Sequence, residues 1–239
     1  MAAHQPARLI VAMSGSSAPH LGVAFLAALR RHGDVESHLV LSAGARRSIE
    51  LEMRVDPAEV ERQADVVYDA SDVGAPLAAG SFPAMGMVII PCSMRTLAAV
   101  ASGDSDNLVS RAASVTLAER RRLVLVTRET PLSYIHVRNM AAATEAGATV
   151  LPPIPEFPAD FPCITELLSG LCRKVLDQFS LSPVFLSHDP SWTERIDAAP
   201  LKKSWVWACR ATSAPLICRS PHSLRSWRTA SYRCIQFHM

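Results

Sequence analysis

The sequence predicts an α/β domain in which helices cover both faces of a mainly parallel sheet, a three-layer sandwich. Three observations carry that prediction. Short aliphatic and β-branched runs alternate with segments of helical spacing along residues 8–151. The runs are apolar throughout rather than on every second residue, as strands buried on both faces must be. Several of them stop at a serine or threonine just where the next helix begins, which is the chemistry of βα turns in such sheets.

The elements follow in order. Leu9-Ile10-Val11-Ala12-Met13 is the first strand, and Ser14-Gly15-Ser16-Ser17-Ala18-Pro19 is a small-residue turn. Leu21, Ala24, Phe25 and Leu29 then share one face of a helix running to Arg31. His38-Leu39-Val40-Leu41 is the second strand and closes at Ser42; helices from Ala45 to Met53 and from Pro57 to Ala64 follow. Val66-Val67-Tyr68 is a short third strand. Met87 to Ile90 is a fourth, ending in Pro91-Cys92-Ser93, with a helix from Thr96 to Ala101. Arg111 precedes a helix from Ala112 to Arg120, and Leu123 to Val126 is the fifth strand. An amphipathic helix from Ser133 to Ala146, a sixth strand at Thr149-Val150-Leu151 and a helix from Ile164 to Phe179 complete the domain.

This organisation predicts one domain over residues 1–181 and a different kind of sequence over 182–239. All four tryptophans and three of the six cysteines lie in that second part, which has neither helical nor strand periodicity. After Asp197 it carries Lys202, Lys203, Arg210, Arg219, Arg225, Arg228 and Arg233 and no acidic residue. The basic and aromatic residues are scattered rather than amphipathic, so neither a membrane surface nor nucleic acid is the expected partner. The whole chain is nearly balanced, at +2, which argues against a nucleic-acid protein. The cysteines contain no CxxC pair and no histidine at ligand spacing, so no metal is expected. Reduced thiols, the lack of an apolar run near the roughly 20 residues of a membrane span, and the lack of a cleavable apolar leader point to the cytoplasm.

Right-handed crossovers place the C-terminal ends of strands one, two, four and five on one rim. That rim is where an open parallel sheet binds ligands. It should gather Ser17, Ser42, Ser93, Thr96, Arg128 and Glu129. Backbone N–H groups and hydroxyls at Ser14-Gly15-Ser16-Ser17 suit an anion, although a plain tight turn fits the same residues. Ser42 is open to an N-capping role, as are Ser93 and Thr96, which bracket one turn at a helix start. Arg128 offers a fork that matches a phosphate, with a surface ion pair to Glu129 as the alternative. Glu52 is a candidate for proton transfer at the same rim, or a solvated helix residue.

Taken together, several segments resemble the UbiX-type flavin prenyltransferases. These are Ser14 to Ser17, His38 to Ser42, Gly80-Ser81-Phe82, Gly86 through Leu97, Arg111-Ala112-Ala113, Glu119-Arg120-Arg121 and Arg128-Glu129-Thr130-Pro131-Leu132. The similarity is greatest to the B subunits that accompany hydroxyarylic acid decarboxylases, and it spans about Arg8 to Leu181. The resemblance implies a flavodoxin-like (Rossmann-type) fold and a homo-oligomer, usually a dodecamer, that needs no metal. It implies transfer of a dimethylallyl group from dimethylallyl phosphate to N5 and C6 of reduced FMN. The product, prenylated FMN, is the cofactor of a UbiD-type aromatic acid decarboxylase. Carried over residue by residue, it implies FMN contacts from Gly15, Ser16, Ser17, Ser42, Ser93, Met94, Arg95, Thr96 and Arg128. Glu52, Glu129 and Ser17 match catalytic positions, and Arg111, Pro158 and Lys174 match positions that meet dimethylallyl phosphate.

Three positions depart from the family's usual pattern. Ala118 stands for the lysine of Leu-Lys-Glu-Arg-Arg, Pro158 for the tyrosine of Pro-Ala-Phe-Tyr, and Ala18 for a loop glycine. Losing two phosphate donors costs roughly 3 kcal/mol of anion stabilisation. A second reading therefore stays open: an FMN-binding homologue with weak or no transferase activity, acting as carrier or assembly subunit of a decarboxylase. A third, a flavin-dependent decarboxylase of the cysteine-decarboxylase group, would need a histidine base in the helix after the first turn, and His20 comes too early for it.

Overall fold

The computed structural model of the chain describes residues 6–154 and 164–182. Pro158 and the predicted tail from residue 183 onward lie outside them. Six strands alternate with helices: β1 (Ala7–Met13), α1 (His20–His32), β2 (Val35–Leu41), α2 (Ala43–Ser48), α3 (Pro57–Glu61), β3 (Val66–Asp69), β4 (Gly86–Cys92), α4 (Met94–Ser102), α5 (Leu108–Ala118), β5 (Arg122–Thr127), α6 (Tyr134–Glu145), β6 (Thr149–Val150) and α7 (Ile164–Asp177). The sheet order is β3-β2-β1-β4-β5-β6, and every neighbouring pair is parallel. This is the doubly wound order, with its reversal between β1 and β4.

The pleat divides the core in two. Leu9, Val11 and Met13 of β1 pack with Phe25 and Leu29 of α1 and with Cys172, Val175, Leu176 and Phe179 of the α7 segment. Ile10 and Ala12 face the other way, toward Leu97 and Val100 of α4, Leu108, Ala112 and Ala113 of α5, and Ala143 of α6. Gly22 lets α1 approach the sheet at the β1–β4 crossing: a Cβ there would lie 2.5 Å from the Ile90 carbonyl and 2.7 Å from the Met13 sulfur.

The structure changes three expectations. The helix expected from Ala45 to Met53 is α2 followed by a π-helical turn over Ile49–Met53. Arg111 lies inside α5 rather than before a helix, because Asn107 caps that helix early; its Oδ1 accepts from Val109 N–H at 3.0 Å and Ser110 N–H at 3.2 Å. The helix expected to be amphipathic, α6, buries only Ala143. Tyr134, Ile135 and Val137 at its start are exposed, as is Leu132 before it. Its N-terminus is nevertheless well made, since Ser133 Oγ accepts from His136 N–H while Ser133 N–H donates to His136 Nδ1.

Candidate active site

The rim forms where β1 and β4 part, and a serine joins them there. Ser14, directly after β1, is buried. Its Oγ donates to the Pro91 carbonyl at 3.2 Å and accepts from Ser93 N–H at 2.8 Å, and its own N–H donates to the Pro91 carbonyl at 3.1 Å. One hydroxyl thus sets the turn after β1 against the turn after β4. Sequence reasoning placed Ser14 in the turn without a role of its own. No local signal marks the pairing, which joins residues 77 apart.

The neighbouring serines are also tied down. Ser16 is buried, and its Oγ donates to the Arg128 carbonyl at 3.1 Å, which brings the end of β5 onto the same rim. Ser42 N–H donates to the Met13 carbonyl at 3.1 Å, and Ser42 Oγ accepts from Ala45 N–H at 3.1 Å, capping α2. A Cβ built on Gly15 would sit 2.9 Å from the Gly44 Cα, and one on Gly44 would sit 2.9 Å from the Gly15 Cα. The two backbones touch, and no larger residue fits either position.

Ser93 caps α4: its Oγ accepts from Thr96 N–H at 3.2 Å and lies 3.1 Å from Thr96 Oγ1. Both readings of Ser42, Ser93 and Thr96 are therefore compatible. A capping hydroxyl uses a lone pair and keeps its proton to donate. The rim offers the Ser42 proton and one proton of the Ser93–Thr96 pair to an acceptor. Met94 and Arg95 form the first turn of α4, Met94 half-buried and Arg95 exposed. Cys92 beneath them is unsuited to nucleophilic chemistry, because burial pushes its thiol up to about 12. Thr127 Oγ1, opposite Cys92 in the sheet register, is buried without a hydrogen-bond partner.

The charged candidates line the open side. Arg128 and Glu129 are both exposed, and Glu129 Oε1 accepts from Thr130 N–H at 3.2 Å. Ser17 and Glu52 are exposed as well, and one oxygen of Glu52 accepts from Ala18 N–H at 2.9 Å. His20 opens α1; burial lowers its imidazole below the ordinary value, and the Glu52 carboxylate only partly offsets this. Arg111 is exposed in the first turn of α5, whose start is held at the rim by Leu108 N–H donating to the Ala70 carbonyl just after β3. Lys174 is not brought to this rim within the chain. It sits in the last turn of α7, four residues before Gln178, which meets Arg122 at the opposite, starting end of β5. Ala118 is exposed at the end of α5. Among the described residues no His, Cys, Asp and Glu cluster could hold a metal ion, and no helix is long and apolar enough to cross a membrane.

A family model described as Flavoprotein matches residues 2–176. A probable UbiX-like flavin prenyltransferase of Streptomyces sp. (strain D7) is 47% identical over 174 residues, which is 73% of this chain and 87% of that protein. The chain belongs to the UbiX-type flavin prenyltransferase family. The crystal structure of AnUbiX (PadA1) in complex with FMN and dimethylallyl pyrophosphate is 47% identical. It superposes with a TM-score of 0.73, covering 75% of this chain and 95% of that one. A dodecameric FMN-dependent UbiX-like decarboxylase from Escherichia coli O157:H7 is 44% identical with a TM-score of 0.71, covering 75% and 99%.

The rim of this UbiX-type chain fits a flavin mononucleotide by its donor set. The hydroxyl groups of Ser42, Ser93 and Thr96, the N-terminus of α4 and the residue Arg128 lie together at the switch point of a doubly wound sheet, a combination that suits a phosphate and a polar ring edge.

Proposed function

We propose that this chain transfers a dimethylallyl group from dimethylallyl phosphate to reduced FMN, and so makes prenylated FMN for a UbiD-type aromatic acid decarboxylase. The observation that carries the reading is the Ser14-centred rim, on which the turns after β1, β2, β4 and β5 meet through hydrogen bonds. Family membership supplies the reaction class. Reduced FMN brings the electron-rich ring that captures the allyl unit.

The chain's own residues have three tasks on this reading. Gly15, Ser16, Ser17, Ser42, Ser93, Met94, Arg95, Thr96 and Arg128 hold the flavin and its phosphate. Arg111, with Lys174 supplied from another copy, neutralises the phosphate that departs from the allylic donor; fixed positive charge acts where negative charge develops. Glu52 and Glu129, with the Ser17 hydroxyl between substrate and protein, move protons at that phosphate and at the flavin edge. We further propose that the exposed apolar start of α6 is covered by another copy in a dodecamer like that of the Escherichia coli O157:H7 relative. The free, buried thiols of Cys92 and Cys172 suit the reducing cytoplasm. Residues 1–181 would be the catalytic domain and 182–239 an appendage.

Ala118 favours a second reading, an FMN carrier without transferase activity, since it puts a methyl group where the family has a lysine. One experiment separates the two. Purified protein is incubated anaerobically with reduced FMN and dimethylallyl phosphate, and the bound flavin is weighed by mass spectrometry. A gain of one C5 unit is expected. Unmodified but tightly bound FMN would select the carrier, and A118K with P158Y would then recover transfer if the two lost donors are the cause.

A further inference from the structure

We infer that Glu52 is a positioning residue for Ser17, because its carboxylate holds Ala18 in a left-handed conformation that alanine does not adopt by itself. The inference rests on the proposed flavin chemistry for its consequence, and on the backbone for its cause. Ala18 has φ of 66°. A residue with a Cβ pays about 1 kcal/mol or more to sit there, where glycine pays almost nothing. The Ala18 amide precedes α1, which starts at His20 with Pro19 at its cap and no side-chain cap of its own. Glu52 Oε2 takes that N–H at 2.9 Å from 34 residues away.

Glu52 reaches the turn from an equally unusual place. It lies in the π-helical turn over Ile49–Met53, which ends at Arg54 with φ of 57°, a second left-handed residue that is not glycine. A π turn adds a residue to the helix and is rare, and it is found frequently at functional sites. Both backbones thus leave their ordinary conformations at the point where carboxylate and amide meet.

The consequence falls on Ser17. The turn is anchored on one side of it by Ser16, whose Oγ donates to the Arg128 carbonyl at 3.1 Å. On the other side Ala18 is held twice: its N–H by Glu52, and its carbonyl by Leu21 N–H at 3.1 Å from the first turn of α1. Ser17, exposed between them, takes its direction from both. This role needs only an acceptor, whereas proton transfer needs a carboxyl group, so the two are separable.

The test uses four full-length proteins beside the wild type: E52A, E52Q, A18G and A18G/E52A. Two quantities are read, FMN affinity and hydrogen exchange of the amides of residues 15–18. Removing a hydrogen bond to a charged acceptor at an exposed site should weaken FMN binding about fivefold in E52A and speed exchange to a similar degree. E52Q, which keeps an acceptor oxygen, should stay within about twofold of the wild type in both. In the A18G background the E52A effect should fall to less than half. Equal exchange in E52A and E52Q would overturn the inference, as would an undiminished E52A effect in A18G. If the wild type binds no FMN, the proposed function fails, while exchange in the same proteins still decides the role of Glu52.

Discussion

The β1–β4 side of the rim and the β5–α6 side are built by opposite means. On the first, Ser14, Ser16 and Ser93 are buried or half-buried, and each has a named partner on another strand's turn. Two glycines touch there, and the helix α1 approaches through a third. On the second, every residue from Arg128 to Ile135 is exposed, and α6 buries one alanine. The first half of the site is finished inside a single chain. The second half has charge and apolar surface but little that fixes them, which is the condition expected of a surface completed by another copy.

The sharpest way to break this contrast is at Gly22. A methyl group there meets the end of the Met13 side chain and the Ile90 carbonyl, and the carbonyl cannot withdraw without moving the sheet. G22A should cost roughly 3 kcal/mol in urea unfolding and abolish FMN binding. S14A should cost about 2 kcal/mol, because it strips the half-buried Ser93 N–H of its acceptor and leaves the place of a buried hydroxyl empty. A cost below about 0.5 kcal/mol, within the range of ordinary surface changes, would show that the two turns do not depend on that hydroxyl.

Acid should act on the chain more weakly, and mainly away from the rim. His38 on β2 is buried, with Nδ1 3.0 Å from Tyr68 OH, its ring edge-on to Phe82, and Nε2 3.5 Å from Glu36 Oε1. Burial lowers its imidazole below 6.5 despite Glu36. The unfolded chain therefore binds the proton more readily, so this contribution is complete above about pH 6.5 and is lost as pH falls through the folded value. His20 works in the same direction. Urea midpoints should drop from pH 7 to pH 5, and less steeply in H38N; an unchanged slope would remove His38 from the account. The smallest effect on the protomer should come from I135K. Its side chain is exposed, so the fold should lose under about 0.5 kcal/mol. Mass measured by light scattering should nevertheless fall if α6 is an interface, and an unchanged mass would place the interface elsewhere.

The sheet was legible because β1, β4 and β5 are uninterrupted aliphatic runs, and a run apolar on both faces has few alternatives to a parallel sheet. Ser42 and Ser93 were legible for the same reason, each standing at a strand end before a helix. Ser14 was not, since its role depends on Pro91, 77 residues away, and no local pattern encodes that pairing. The π turn under Glu52 and the contact of Gly15 with Gly44 were hidden likewise. The sequence from Ser133 to Ala146 has helical spacing, but spacing says only that a face is apolar and not whether the same chain covers it.

The separation of Ser14 from Pro91 has a kinetic meaning. β1 and β2 are joined through α1 alone, whereas everything from α1 to β3 lies between β1 and β4 in the chain. Closing so large a loop is paid before its contacts reward it, which puts such pairings late in folding. The proposed flavin site straddles that seam. It cannot exist in a half-assembled chain, so the flavin has nothing to recognise until the two halves of the sheet have joined. Fluorescence quenching of added FMN during refolding would then report the arrival of the finished sheet, lagging behind the recovery of helical circular dichroism.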